Sequence, residues 1–102
     1  MTGVIRRSYQ KPGQLIPSRA QHFKGRSIRL SPGRAIEWHS TRDREEVILV
    51  FRGSVSLEVR GPRSRIRSIA LSKGRAAFLS PQVWHRVVNR SRRQAHYVYL
   101  TA

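Results

Sequence analysis

Apolar residues in this chain fall into short runs and alternations, and no stretch of useful length shows helical spacing. Arg26 to Leu30 alternates, with Ile28 and Leu30 on one side, before the turn signal Ser31-Pro32-Gly33. Ala35 to Thr41 resumes as a strand. Strict alternation there places Glu37, His39 and Thr41 on one face, and Ile36, Trp38 and Ser40 on the other. Val47 to Phe51 is apolar throughout, too short for a globular helix and rich in β-branched residues, so it reads as a buried strand. Arg52-Gly53 is then expected to turn the chain in a hairpin into Ser54 to Arg60, where Val55, Leu57 and Val59 point inward. Further strands are expected around Ile69 to Leu71, Ala76 to Leu79, Val83 to Asn89 and Gln94 to Leu100. Many short strands separated by Gly/Pro turns predict an all-β sandwich or barrel.

With 102 residues the chain supports one modest core. Residues 1–25 are punctuated by Pro12-Gly13, Pro17 and Gly25 and read as an N-terminal arm of the same domain. Tyr9 and Phe23 serve there as anchors, and His22 as a surface or packing residue. The chain has no cysteine, which excludes a disulfide framework and a thiolate metal site. No apolar run approaches a membrane span, and Met1 to Gln10 lacks a hydrophobic signal region, so a cytoplasmic location is expected.

The chemistry concentrates in two stretches. His39 and Glu46 flank the turn into the apolar strand, and burying such groups is costly without a partner. A metal ion is one such partner; an ion pair with one of the many arginines is another for Glu46. The polar face of Ala35 to Thr41 likewise has two readings. It either faces solvent, with Ile36 and Trp38 in the core, or faces a pocket, with Trp38 outside. Downstream, His85 lies between Val83 and Val87, where a neutral imidazole must be hydrogen-bonded or metal-bound.

Taken together, Gly33, His39, Glu46 and Gly53, followed by Gly74, His85 and Asn89, resemble the two motifs of the cupin family in order and spacing. Thr41 stands where the family has a second histidine. Pro81 comes one place late, and Gln82 occupies a family glycine position. The resemblance implies a cupin-type double-stranded β-helix, or jelly-roll barrel, over residues 26–102. It also implies a divalent metal (Zn, Mn, Ni, Cu or Fe) held by His39, Glu46 and His85, with Glu37, Thr41 and Asn89 lining the pocket or supporting the ligands. Spacing to Gly53 favours Glu46 over Glu45 as the family glutamate. The hydroxyl of Thr41 would bond a metal-bound water or a substrate oxygen. Members of the family include isomerases, oxygenases and non-catalytic binding domains, so the resemblance leaves open whether this chain is an enzyme.

Charge adds a second theme. The formal net charge is +16, and eighteen of the 21 basic residues are arginine. Arginine suits phosphates and carboxylates, although a G- and C-rich genome produces the same bias. Arg63, Arg65 and Arg67 alternate and would line one strand face as an anion-binding surface or a solvated one. Three readings follow: a metal-binding cupin acting on a small polar or sugar-like molecule, a metal-free cupin binding an anionic small molecule, and a basic module for nucleic acid or acidic polysaccharide. Apolar residues on both faces of Val47 to Phe51, with Trp38 outside, also predict a homodimer.

Overall fold

The alternating runs other than that of Arg63, Arg65 and Arg67 become strands in the computed structural model, which describes residues 3–102; residues 1–2 of the expected arm lie outside the described residues. The strands are β1 (Gly13–Gln14), β2 (Lys24–Leu30), β3 (Ala35–Ser40), β4 (Glu46–Arg52) and β5 (Ser54–Arg60). A short 3-10 turn, Pro62–Ser64, precedes β6 (Ile66–Ser72), β7 (Ala76–Leu79), β8 (Trp84–Val88) and β9 (Ala95–Thr101). They form a five-stranded sheet in the order β1-β2-β9-β4-β7 and a four-stranded sheet in the order β3-β8-β5-β6. All pairings are antiparallel. From β2 onward the chain repeatedly crosses from one sheet to the other, as a jelly roll does.

The sheets meet over an apolar core. Ile48, Val50, Ala95 and Tyr97 come from the larger sheet; Val55, Leu57, Leu71 and Val87 come from the smaller. Alternation explains most of this set. Val55 and Leu57 point in, and Val59 packs against the same cluster. The chain turns at Gly53 from β4 in the larger sheet to β5 in the smaller, so the hairpin expected there is a crossing between sheets. The φ of +72 at Gly53 and its close approach to the Gln94 carbonyl leave no room for a side chain.

One buried polar residue holds a loop rather than a ligand. Asn89 has no solvent exposure. Its amide nitrogen donates to the carbonyls of Leu30 and Arg93, and its Oδ1 accepts from the Ser91 backbone and hydroxyl. Asn89 therefore fixes the β8–β9 turn onto β2, and all its polar atoms are satisfied. This corrects its expected place in the pocket: β8 ends at Val88, so alternation no longer governs position 89.

Glu58 lies on the outer side of the smaller sheet, where Arg86 Nε donates to Oε1 at 2.5 Å and Arg90 Nη2 to Oε2 at 2.8 Å. The Arg60 and Arg86 guanidiniums also lie over the Trp38 ring, 4.9 and 5.1 Å from its centroid, so Trp38 sits on this outer face. The larger sheet leaves Leu49 and Phe78 exposed on its own outer face, Phe78 by 63%.

Hydrogen bonds from Arg90 and then Arg86 hold the Glu58 carboxyl below its ordinary value of 4.5. A depressed carboxylate contributes stability above its unfolded-state pKa, and that stability is lost as pH falls through the folded-state pKa. Glu58→Gln should thus lower the urea midpoint at pH 7 and converge on the parent protein in acid, where both side chains are neutral. A stability difference that stays constant with pH would show that the pair contributes nothing through charge.

Candidate metal centre

One end of the sandwich is built from both sheets. β3 and β8 place His39 directly opposite His85 in register. β4 brings Glu46 across from the other sheet. One ligand-type atom from each of the three lies within 4.8 Å of the other two. His85 is fully buried and Glu46 is only 6% exposed, while His39 is open to solvent. The imidazole rings are tilted against each other, with centroids 4.3 Å apart.

Backbone carbonyls orient both rings. His39 Nδ1 lies 2.7 Å from the Glu37 carbonyl and His85 Nδ1 lies 3.0 Å from the Val83 carbonyl. A carbonyl only accepts, so each Nδ1 carries the proton and each Nε2 keeps a lone pair. His85 Nε2 stands 3.4 Å from Glu46 Oε1 but makes no hydrogen bond, the one such buried side-chain atom among the described residues. Burial is the strongest single influence on the His85 pKa and pushes it down. The Glu46 carboxylate and the Val83 carbonyl together outweigh it, so the net shift is upward. Among the described residues no arginine lies within ion-pair distance of Glu46.

This donor set fits a divalent metal. Two imidazoles and a carboxylate suit the borderline first-row ions, and carbonyl-anchored Nδ1 atoms are the usual supports of ligating histidines. Donors about 2.1 Å from one ion stand at most ~4.2 Å apart, so the 3.4 Å Glu46–His85 pair already fits and the group as a whole need draw in only slightly.

The trio opens onto a cavity of about 320 Å³ whose walls include Ile28, Ile36, Val87, Tyr97 and Tyr99. Arg42, Arg44 and Thr41 also line it. Arg44 is fixed: Nε donates to Thr101 Oγ1 at 3.1 Å and Nη2 to the His22 carbonyl. Burial raises the phenol pKa of Tyr97 far above its ordinary range, with Glu46 adding to the effect. Tyr99 shifts the same way, chiefly through burial. Both phenols are therefore neutral donors. Neither tyrosine nor Arg44 stands out in the sequence as a pocket residue, yet alternation along β9 would have put Tyr97 and Tyr99 on one face.

Several expected positions fall elsewhere. β3 takes three steps from Ile36 to His39 where β8 takes two from Val87 to His85, so β3 is bulged. The extra residue brings Ile36 to the pocket beside His39 and sends Glu37 out, where it lines a separate depression near Arg29 and Arg34. Glu37 thus contributes its carbonyl to the site and not its carboxylate. Thr41 does line the pocket, but its hydroxyl is occupied: it donates to the Ser80 carbonyl and accepts from Val83 N–H, both at 2.9 Å. It fastens the end of β3 to the loop that leads into β8 and His85, and its one proton is committed there rather than to a ligand. Gln82, at the family glycine position, adopts φ 65 and donates its N–H to the Arg42 carbonyl. Arg63, Arg65 and Arg67 do not share a strand face. Pro62–Ser64 is a 3-10 turn with Arg63 and Ser64 at positive φ, and only Arg67 lies on β6. The three guanidiniums border an exposed depression with Gly61 and Pro62.

Thr41→Val keeps the shape of residue 41 and removes both hydroxyl bonds. Leaving Val83 N–H unpaired should cost about 1–3 kcal/mol in a denaturant titration. It should also loosen the loop that leads into β8, seen as greater broadening of the His85 ring signals than of those of His22. Unchanged stability would mean that the hydroxyl does not fasten the loop.

Comparison with known proteins follows the same architecture. Residues 26–101 match the family described as Cupin domain. No curated protein matches the sequence. Among solved structures the chain is similar to a protein of Thermus thermophilus at 24% identity and TM-score 0.74, covering 96% of this chain and 89% of that one. It is similar to a cupin domain of Schizosaccharomyces pombe at 10% identity and TM-score 0.76, covering 89% of this chain and 62% of that one. It is also similar to oxalate oxidase at 16% identity and TM-score 0.70, covering 78% of this chain and 41% of that one. This chain thus spans less than two thirds of the latter two, and identities this low show the fold alone. The match over residues 26–101 takes in β2 to β9 with all three of His39, Glu46 and His85, and the chain belongs to the cupin family.

Proposed function

We propose that this chain is a divalent-metal cupin that binds a small polar, anionic molecule in its barrel, with His39, Glu46 and His85 holding the metal. The observation that carries the reading is the buried, unpartnered Nε2 of His85 beside the Glu46 carboxylate, in a trio whose second imidazole is oriented the same way. A bound metal supplies Lewis-acid or redox chemistry, depending on its identity. The chain's own residues define the rest. Ile28, Ile36 and Val87 keep the cavity apolar, which strengthens any charge interaction within it. Arg44, pinned by Thr101 and His22, offers a fixed cation for a carboxylate or a similar oxygen anion. Tyr97 and Tyr99 offer neutral phenol donors. Isomerase and oxygenase chemistry on a small or sugar-like substrate both suit this set. A metal-free cupin that captures an anion is the second reading, supported by Arg42 and Arg44 on the same cavity.

Elemental analysis of protein purified without a metal-affinity tag separates the two. We expect one equivalent of a first-row metal, and His85→Ala or Glu46→Gln should lower affinity at least tenfold while the β-sheet circular dichroism persists. No metal after loading, or full stoichiometry in both variants and in His39→Ala, would dismiss the trio as the ligand set.

The exposed Leu49 and Phe78 on the outer sheet face have a place in the same reading, as the surface covered by a second copy of the chain. Light scattering at micromolar concentration should give twice the mass of one chain. The mass of a single chain would leave that face open to solvent.

A further inference from the structure

A second cleft lies at the other end of β4, away from the metal centre. Register places Arg29 of β2, His96 of β9 and Arg52 of β4 side by side across three adjacent strands. Neighbouring strands are about 4.8 Å apart, so the two arginines flank the histidine on one face. A bulge in β4 makes this row. Val50 pairs with Tyr97 and Arg52 with the next residue, His96, so Phe51 and Arg52 both stand opposite one residue. The N-terminal arm closes the side. Tyr9 packs on Phe51 with centroids 5.1 Å apart, Phe51 meets His96 edge-on at 5.3 Å, and Ser27 Oγ donates to the Tyr9 carbonyl. Lys11 from the arm and Lys73 from the β6–β7 turn complete the rim of a cleft of about 750 Å³, within the roughly 300–1,000 Å³ of small-molecule sites.

The charge balance of this cleft differs from that of the other fixed arginines. Arg86 and Arg90 are both held by Glu58, whose single charge offsets half of theirs. Arg29 is held without being neutralised, because its Nε donates to His96 Nε2 at 2.7 Å. An imidazole accepts that bond only when neutral, and burial, Arg29 and Arg52 all push the His96 pKa down. No carboxylate lines the cleft, and among the described residues Arg29, Arg52, Lys11 and Lys73 form no ion pair. Four cations thus converge on one space, one of them oriented by a buried neutral partner, beside a half-exposed aromatic ring. Their mutual repulsion is relieved by an anion of more than one charge. A flat ring stacked on Tyr9 adds contact that an inorganic anion cannot make.

We propose that the cleft between the N-terminal arm and the β4 bulge binds a nucleotide, with Arg29, Arg52, Lys11 and Lys73 around its phosphates and Tyr9 against its base. The site is distinct from the metal cavity and does not depend on it.

Calorimetric titration with ADP in about 0.15 M salt and EDTA tests this, since that salt screens the general field of the chain. We expect saturable binding at one site, weaker binding of inorganic phosphate and of adenosine, and a loss of about tenfold or more in the Arg52→Ala/Lys73→Ala double variant. Both side chains are exposed and hold no hydrogen bond, so this variant should fold. Arg63→Ala/Arg65→Ala removes the same charge at a remote turn and should leave ADP affinity unchanged. His85→Ala should leave it unchanged as well. Equal losses in the two double variants would overturn the proposal in favour of net charge, and loss in His85→Ala would assign the binding to the metal cavity. No ADP binding also overturns it; if a hexathymidylate then binds through Arg52 and Lys73, the partner is nucleic acid rather than a free nucleotide.

Discussion

A buried imidazole and a carboxylate 3.4 Å apart, inside walls of isoleucine, valine and tyrosine, set the terms for this end of the barrel. Such groups lose water and must be repaid by partners. Glu46 has a charge to face when His85 is protonated, but His85 Nε2 has no hydrogen bond, a deficit of the order of ~1–3 kcal/mol if left so. The fold keeps the arrangement by fixing everything around it. Val83 and Glu37 carbonyls hold the rings, and Thr41 ties β3 to the loop before β8. This spends backbone and hydroxyl bonding on holding donor atoms in place, which is how a preorganised site is maintained. The apolar core, the crossing at Gly53 and the Asn89 turn serve the sheet packing that brings β3, β8 and β4 together.

Scarcity of carboxylates shapes the remainder. Only five acidic residues face 21 basic ones. Glu46 faces the cavity and Glu58 holds two arginines, so the rest of the positive charge must be managed in other ways. Some is carried by exposed side chains in water. Arg60 lies over Trp38, and Arg44 takes backbone and threonine oxygens. Arg29 takes a neutral histidine. These solutions differ in what they leave behind. A carboxylate cancels the charge, whereas an oxygen dipole or an imidazole orients the side chain and leaves its field available.

The strands were legible because alternation and turn residues are local signals. Ser54–Arg60 and Ala76–Leu79 appear at the expected bounds, and the apolar run Val47 to Phe51 is the centre of β4. The spacing of His39, Glu46 and His85 pointed to one place only through its likeness to the two cupin motifs; the pairing of β3 with β8 and the crossing to β4 are what bring the three together. What could not be read was whatever depends on a break in the period. One extra residue in β3 turned Glu37 out and Ile36 in, and nothing in Ala35 to Thr41 marks the bulge. The turn at Pro62–Ser64 dissolved the expected Arg63, Arg65 and Arg67 row, although Gly61-Pro62 gave a hint that the strand had not yet resumed. Thr41 lay on the pocket side as expected, but its hydroxyl partners come from residues 80 and 83, far along the chain. Sequence alone shows the donor, not who claims it.

Bulges also explain how one small sandwich offers two unlike cavities. A regular antiparallel pair keeps every second residue on a face, so a polar cluster on one strand repeats poorly on the next. The bulge in β3 lets an apolar wall residue and a ligating-type histidine face the same cavity three positions apart. The bulge in β4 does the converse on the outer face, setting an aromatic and an arginine against one histidine. Between them Ile48 and Val50 run inward without interruption and keep the core dry. β4 therefore carries a carboxylate at one end and a cation at the other, separated by a segment that tolerates neither. Opposite charges at the two ends draw different chemistry, and the length of the strand, with solvent at each mouth, keeps the two apart.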